Sequence, residues 1–170
     1  MEWKDCFGEL LHELLYEDHL DRILSNYFYK DSAPGELMCK MHQHNSLEVD
    51  CVIDGDVFLH FENDAAHVAK NEILLIRPDV KHLFKAGAEG CTRANIQLNT
   101  YQIKSNSLNK FLEFAFGGKP HIKLKKNPVV CTLLKNISLE MDKRETEYST
   151  LVKMDIVSLL IHLLRAIQTD

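Results

Sequence analysis

The chain has 170 residues, of which 45% are hydrophobic and 26% charged, the proportions of a single soluble globular domain. Its formal net charge of −5 argues against direct nucleic-acid binding, because neutralising phosphates requires a basic face. The longest apolar run, Val157 to Leu164, is interrupted by Ser158 and His162 and is too short to cross a membrane.

The spacing of hydrophobic residues changes twice along the chain. Residues 3 to 24 carry apolar side chains at helical intervals and predict an amphipathic helix. From Tyr27 to about Thr100, short β-rich runs are separated by turn-forming sequences such as SAPG, DGD, KNE and RPD. Seven or eight strands without intervening helices indicate an antiparallel sandwich or small barrel rather than a parallel α/β sheet.

A second helical stretch begins after Ser105. A short helix over LNKFLEFAF should end at the glycine pair that follows it, and two longer helices are predicted at about 129–143 and 147–168. The predicted fold is therefore α+β and mainly β. We expect an N-terminal helix and barrel over residues 1–104 and a helical cap over residues 105–170, within one structural domain.

The final predicted helix carries more apolar surface than one packed face requires. Its second apolar face consists of Val157, Leu160, Ile161 and Leu164. A helix that is apolar on two sides must bury both of them. Either the barrel and the preceding helix cover this second face, or it meets the same face of a second copy in a homodimer.

The five cysteines are an odd number, widely spaced and without a CxxC pair. The amino terminus also lacks the apolar region of a secretory signal. Both features predict a reducing, cytoplasmic location, and we expect the cysteines to pack as small apolar groups.

The stretch HQHNSLEVDCVIDG places His42, His44 and Glu48 at even offsets. Because side chains alternate between the faces of a strand, these three are expected on one face, and the RPDVKH turn should bring His82 toward the same barrel mouth. Imidazoles and a carboxylate together suit a divalent metal such as Zn, Fe, Mn or Ni. The alternative is an effector pocket without metal, in which a neutral imidazole offers a ligand hydroxyl one donor and one acceptor.

A polar face also runs along a later strand, where Arg93, Asn95 and Gln97 alternate with apolar residues. If this face points into the barrel, it supplies the few convergent polar groups that a small-molecule pocket needs. If it points outward, it is an ordinary solvated face.

These motifs resemble those of the cupin superfamily. The pattern HxHx3Ex6G, from His42 to Gly55, is similar to the first cupin motif, and Pro78 followed by His82 is similar to the end of the second. The resemblance implies a small antiparallel cupin-like barrel, which is a double-stranded β-helix or jelly roll. It also implies the alternative function, a stand-alone cupin metalloenzyme with a His/His/Glu/His metal site.

The order of motifs from Met38 to Arg165 resembles more narrowly the amino-terminal sensor domain of AraC-type transcription regulators. That family has a strand that begins with a glutamate and, later, a strand followed by a turn and a histidine. In this chain EVDCVIDG and NEILLIRPDVKH occupy those two places. The resemblance implies a barrel that binds a small effector, often a sugar, and helices that form a homodimer. It also implies a DNA-binding helix-turn-helix domain, which this chain does not reach before Asp170.

Our leading hypothesis is therefore an effector-sensing and dimerisation domain, not an enzyme, since no motif for nucleophilic catalysis is present. No cofactor is expected unless the divalent-metal alternative holds. A lining rich in imidazole and neutral polar groups favours a neutral sugar as the effector. The predicted effector-binding residues are His42, His44, Glu48, His82, Arg93, Asn95 and Gln97.

Overall fold

The computed structural model describes residues 3–62, 64–100 and 107–169, which form five helices and six strands. In chain order the elements are α1 (Trp3–Tyr16), α2 (Leu20–Ile23), β1 (Leu24–Ser32), β2 (Ser46–Phe61), β3 (Ala65–Ala69), β4 (Ile73–Ile76), β5 (His82–Asn99), α3 (Ser107–Phe116), β6 (His121–Leu124), α4 (Pro128–Lys143) and α5 (Tyr148–Thr169). The α+β, mainly β class is confirmed. No helix among the described residues is long and apolar enough to span a membrane.

All strand pairs are antiparallel, and the strand order is β1-β5-β2-β4-β6. Strand β3 lies off this path and pairs with residues 56–60 of β2. The two long strands, β2 and β5, form the centre of the barrel. They pair twice, Ser46–Gly55 against Cys91–Asn99 and Val57–Phe61 against His82–Ala86. Register shifts between these two segments interrupt the ladder, and such irregularities bend strands.

Gly55 lies at this interruption and has a positive φ of 72°. A Cβ atom at this position would lie 2.2 Å from the carbonyl oxygen of Gly90, which itself has a φ of 80°. Only glycine combines the left-handed backbone with so close an approach of a neighbouring strand. The glycine that ends the HxHx3Ex6G pattern is therefore required by the bend of β2.

The sheet separates two apolar clusters, because β2 and β5 are buried on both faces. The outer cluster joins Leu47, Val49 and Cys51 of β2 to the helices. The inner cluster lies inside the barrel and consists of Val52, Val57, Leu59, Val68, Leu74, Ile76, Phe84, Ala86 and Cys91. Strand alternation thus gives β2 one face toward the helices and one toward the barrel interior.

The helical cap has well-defined ends. The Asn127 side chain accepts a hydrogen bond from the backbone N–H of Val130 and so caps α4, with Pro128 in the first turn. Arg144 ends the same helix in a left-handed conformation. Helix α5 then packs back along α4.

The prediction that Leu160 belongs to the dimer face is wrong. Leu160 is fully buried, because it continues the core stripe of α5 formed by Val152, Ile156, Leu159 and Leu163. The other three predicted residues, Val157, Ile161 and Leu164, are half-buried at the edge of the outer cluster. Met154, one turn earlier on the same side as Val157 and Ile161, is 57% exposed.

Several predicted boundaries also differ. Of the short β-rich runs predicted between Tyr27 and Thr100, LEVDCVI and VFLHF are parts of the single strand β2, and HLFKA and TRANIQLN are parts of β5. The run ELMCKMH forms only isolated bridges to β5. The predicted first helix is divided into α1 and α2, and β6 was not predicted because four residues carry little periodic signal. The predicted division between residues 104 and 105 lies outside the described residues.

The prediction that all the cysteines pack as unbonded apolar groups is wrong for two of them. Cys51 of β2 and Cys131 of α4 form a disulfide with a Cα–Cα distance of 5.4 Å. Cys39 and Cys91 are free. A sequence separation of 80 residues left no local signal for the pairing.

We predict that Gly55→Ala lowers the free energy of unfolding by about 2 kcal/mol or more, because it adds both backbone strain and a clash with Gly90. Urea unfolding monitored by circular dichroism measures the change. Gly8→Ala in α1 is the matched control, since no heavy atom lies within 4 Å of its added Cβ, and it should be neutral or stabilising. Equal stability of the two variants would contradict this role of Gly55.

Candidate functional site

The three histidines of the two motifs meet at one end of the barrel. His42 is not part of a regular strand. Its backbone N–H and carbonyl instead form an isolated bridge with His82, with N–O distances of 3.0 and 2.9 Å. The carbonyl of His44 accepts a hydrogen bond from the backbone N–H of Asp79 at 2.8 Å. These backbone hydrogen bonds hold the loop between β1 and β2 against the residues around His82. They bring the histidines together, which strand alternation alone would not do.

The predicted convergence of His42, His44 and His82 is present in the structure. Their ring centroids lie 4.5 to 5.8 Å apart, and one ligand atom from each ring falls within 4.8 Å of the others. His82 is fully buried, His44 is half-buried and His42 faces solvent. The cluster therefore has an inner end and an open end.

Each of these rings is oriented by a hydrogen bond from its Nδ1 atom to a backbone carbonyl. The acceptors for His42, His44 and His82 are the carbonyls of Lys40, Ser46 and Val80, at 3.0, 3.1 and 2.8 Å respectively. A carbonyl can only accept, so each Nδ1 must carry the proton. In the neutral rings the lone pair is then on Nε2, the arrangement typical of imidazoles that bind a metal or accept a ligand proton.

Glu48 lies beneath the histidines and is 2% exposed. Its Oε2 atom is 2.7 Å from Nε2 of His44 and 3.2 Å from Nε2 of His82. The second contact does not have hydrogen-bond geometry, so the buried Nε2 of His82 has no hydrogen-bond partner among the described residues. Asn95 donates to the other Glu48 oxygen, Oε1, at 2.7 Å.

Asp50 and Arg93 form a buried ion pair deeper in the barrel. Arg93 donates to Asp50 Oδ1 through both Nε, at 3.1 Å, and Nη2. The guanidinium carbon lies 3.7 Å from the centroid of the Phe84 ring, which adds a cation–π contact. Asn95 donates to the remaining Asp50 oxygen at 3.0 Å and so connects this pair to Glu48.

The polar cluster contains two buried carboxyl groups, Glu48 and Asp50, but only one permanently charged base, Arg93. Burial raises the pKa of Glu48, but its interactions with His44, His82 and Asp50 together outweigh burial and hold this pKa well below its ordinary value. Burial raises the pKa of Asp50 well above its usual range, with Arg93 opposing and the Glu48 charge adding to the rise. Burial lowers the pKa of His44, but the hydrogen bond and the charge of Glu48 together outweigh burial. The pKa of His44 therefore lies above its ordinary value. The Glu48 carboxylate therefore favours a positive charge on His44.

A divalent metal would fit this donor set. His42, His44 and His82 each place one ligand atom within 4.8 Å of the others, Glu48 Oε2 lies 2.7 and 3.2 Å from Nε2 of His44 and His82, and the buried Nε2 of His82 is unsatisfied. Such a metal would supply positive charge between the histidines and the carboxylate and would act as a Lewis acid toward a bound ligand.

The polar face of β5 points into the barrel, which decides between the two orientations left open by the sequence. Arg93 and Asn95 are buried beside Glu48 and Asp50, while Ala94, Ile96 and Leu98 join the outer cluster. Gln97 is half-buried opposite Glu48 in the strand register. The binding role of these residues stays a prediction.

Sequence reasoning underestimated Asp50 and missed two contacts of Arg93. Asp50, which the structure places beside Arg93 and Asn95, was not assigned to the site from the sequence. The sulfur of Met38 and the ring of Phe84 also contact the guanidinium of Arg93. The even offset from Glu48 to Asp50 was the available signal, whereas the cross-strand register that places Arg93 could not be read from one strand.

Comparison with known proteins finds one matching family and a partial structural likeness. The sequence model described as AraC-like ligand binding domain matches residues 24–164. No curated protein gives a significant match. Oxalate decarboxylase from Bacillus subtilis at pH 4.6 is 15% identical with a TM-score of 0.39, over 43% of this chain and 20% of that one.

A second solved structure, of unknown function, comes from Rhizobium leguminosarum bv. viciae 3841. It is 16% identical with a TM-score of 0.39, over 45% of this chain and 74% of that chain. The present chain therefore spans about a fifth of the decarboxylase, and neither likeness extends to function.

We predict that Arg93→Met lowers the free energy of unfolding by about 3 kcal/mol or more, because it leaves the Asp50 carboxyl buried without its partner. The double variant Arg93→Met/Asp50→Asn removes both charges and should recover more than half of the loss. Urea unfolding of the two variants measures the difference. If the double variant is no more stable than the single one, the ion pair does not hold the barrel interior together.

Proposed function

The chain belongs to the family of AraC-like ligand-binding domains, and from this premise we propose that it is the effector-sensing and dimerisation part of a cytoplasmic transcription regulator. It would control an attached helix-turn-helix domain that binds DNA. The observation that carries the proposal is the polar cluster inside the barrel, where Glu48, Asp50, Arg93, Asn95 and His82 are all buried. Buried polar side chains on this scale are expensive unless they recognise something or one another.

The proposed effector is a neutral, hydroxyl-bearing molecule, a sugar. It would enter at the open end, where His42 is exposed and His44 and Gln97 are half-buried. A sugar hydroxyl both donates and accepts, and so it can pair with a neutral imidazole and with an amide. An anionic effector is disfavoured because two carboxyls, Glu48 and Asp50, already lie within the barrel beside one guanidinium.

We propose a binding role rather than catalysis, with the effect of the ligand produced by a shift between conformations. A ligand that binds one arrangement of barrel and helices more tightly biases the equilibrium by its differential affinity and by no more than that. Strand β2 is suited to transmit such a bias. It presents Glu48 and Asp50 to the site and Val49 and Cys51 to the helical side.

A metal-dependent site is the second candidate, and a specific observation favours it. All three Nδ1 atoms donate to carbonyls, which leaves Nε2 of each ring as the atom that can bind a metal, and one ligand atom from each ring lies within 4.8 Å of the others. His42, His44, His82 and Glu48 would then hold Zn, Fe, Mn or Ni, either as part of a sensor or as the centre of a cupin metalloenzyme.

The two candidates differ in the metal content of the purified protein. The sugar proposal predicts well under one metal per chain when the protein is prepared without a metal-affinity tag. Stoichiometric metal that is lost in His44→Ala, and kept in the control His19→Ala on the exposed surface, would replace it with the metal-dependent candidate. Elemental analysis makes the measurement.

The ligand class is tested by thermal shift with a panel of neutral sugars, small acids and aromatic compounds. A ligand at 100 times its dissociation constant stabilises the fold by roughly 2.7 kcal/mol. We expect stabilisation by a sugar, abolished by Glu48→Gln or His44→Ala and retained in His19→Ala. Stabilisation by an acid or an aromatic compound, with every sugar silent, would refute the sugar assignment and leave sensing intact.

The proposed dimer face is the outward stripe of α5 formed by Met154, Val157, Ile161 and Leu164. Met154→Glu/Ile161→Glu should give a folded monomer, because an interface would have to desolvate both carboxylates. Sedimentation measures the mass. Lys85→Glu, which alters an exposed residue of β5 away from this stripe, should stay dimeric. A dimeric Met154→Glu/Ile161→Glu variant would place the interface elsewhere.

A further inference from the structure

The disulfide between Cys51 and Cys131 joins the site strand to the helical cap. Cys51 is fully buried and Cys131 is 3% exposed, and no other covalent bond links the sheet and the helices in the described residues apart from the chain itself. The two sulfur atoms therefore lie inside the contact between β2 and α4.

The position of Cys51 gives this bond a possible influence on the site. Cys51 directly follows Asp50 on β2, so one residue faces the polar cluster and the next faces α4. Cys131 lies in the first turns of α4, next to the buried Val130, and α4 packs on α5. A displacement of this part of β2 is thus transmitted directly to the helix pair when the bond is present.

We propose that Cys51 and Cys131 form a redox-controlled clamp. With the disulfide formed, α4 is fixed on β2 and the helix pair follows the site strand. With both thiols reduced, α4 can move relative to β2 and the coupling is weaker. The consequence for sensing rests on the proposed function, whereas the clamp itself does not.

The redox step is a thiol–disulfide exchange with a low-molecular-weight disulfide such as oxidised glutathione. The thiolate of one cysteine attacks that disulfide and releases one thiol, and the second cysteine then attacks the mixed disulfide and releases the other. The two cysteines lose two electrons and two protons, which appear in the two released thiols.

Burial and cellular location together suggest a regulated bond rather than a permanent one. Exchange requires α4 to lift from β2, because neither sulfur atom is accessible while the helix is docked. Disulfides of cytoplasmic proteins are usually transient, catalytic or redox-sensing. In the cytoplasm proposed for this protein, the pair would be reduced at rest and would close under oxidising conditions.

The test uses the whole chain in glutathione buffers of graded ratio, without any effector. Alkylation after unfolding counts the thiols, and we expect five in the reduced chain and three in the oxidised one. The oxidised form should melt about 10 °C higher, because the crosslink closes a long loop in the unfolded chain. Hydrogen exchange should show slower opening of α4 amides in the oxidised form than in the reduced form.

Two variants separate the clamp from a general effect of the buffer. Cys131→Ser should abolish the redox dependence of both the melting temperature and the α4 exchange. Cys39→Ser, which changes a free cysteine, should retain both dependences. The same redox dependence in Cys131→Ser would overturn the proposal, as would five free thiols in the wild type at every glutathione ratio.

A third outcome concerns the coupling alone. If the bond forms and breaks reversibly but exchange of α4 and α5 is identical in both states, the bond is a structural crosslink and the clamp is wrong. Because no effector is present, these results do not depend on the sugar assignment. Failure of the sensing function would instead appear as silence in the ligand panel with the clamp intact.

Discussion

Two carboxyl groups inside an apolar barrel are the constraint on which the site depends. Glu48 and Asp50 are each 2% exposed, and a buried carboxylate is tolerated only when cations or hydrogen-bond donors surround it. Arg93 and Asn95 are held on the facing strand for this purpose, and the histidine rings are held above them. The polar interior is thus one connected network, in which removal of any member leaves another unsatisfied.

The same strand that carries these carboxyls also anchors the helical cap. Because side chains alternate along β2, Glu48 and Asp50 point into the barrel, whereas Val49 and Cys51 point toward the helices. The proposed effector site is therefore separated from α4 by the thickness of one strand, and α4 packs on the proposed dimerisation helix α5. Under the proposed function, small shifts of β2 would connect them, because packed interfaces change between discrete arrangements rather than deforming continuously.

Local patterns predicted much of this from the sequence. The helical periods of α4 and α5 placed those helices within one residue at each end, and the even offsets from His42 to Glu48 pointed to a shared site. Long-range register was not available, since the pairing of Asp50 with Arg93 and of Cys51 with Cys131 joins residues that are distant in the chain. Leu160 was misplaced because periodicity alone cannot tell which of two apolar faces the core covers.

If the Val80 carbonyl fixes the ring proton on Nδ1, the buried His82 has an unprotonated Nε2 that can accept from the proposed ligand. Nitrogen-15 NMR of the histidine rings in metal-free protein at neutral pH tests this directly, since the two tautomers give distinct nitrogen shifts. The account predicts the Nδ1–H tautomer for His82, with its Nε2 signal displaced on addition of the ligand that stabilises the fold. An Nε2–H tautomer, or an Nε2 signal that no stabilising ligand perturbs, would contradict it.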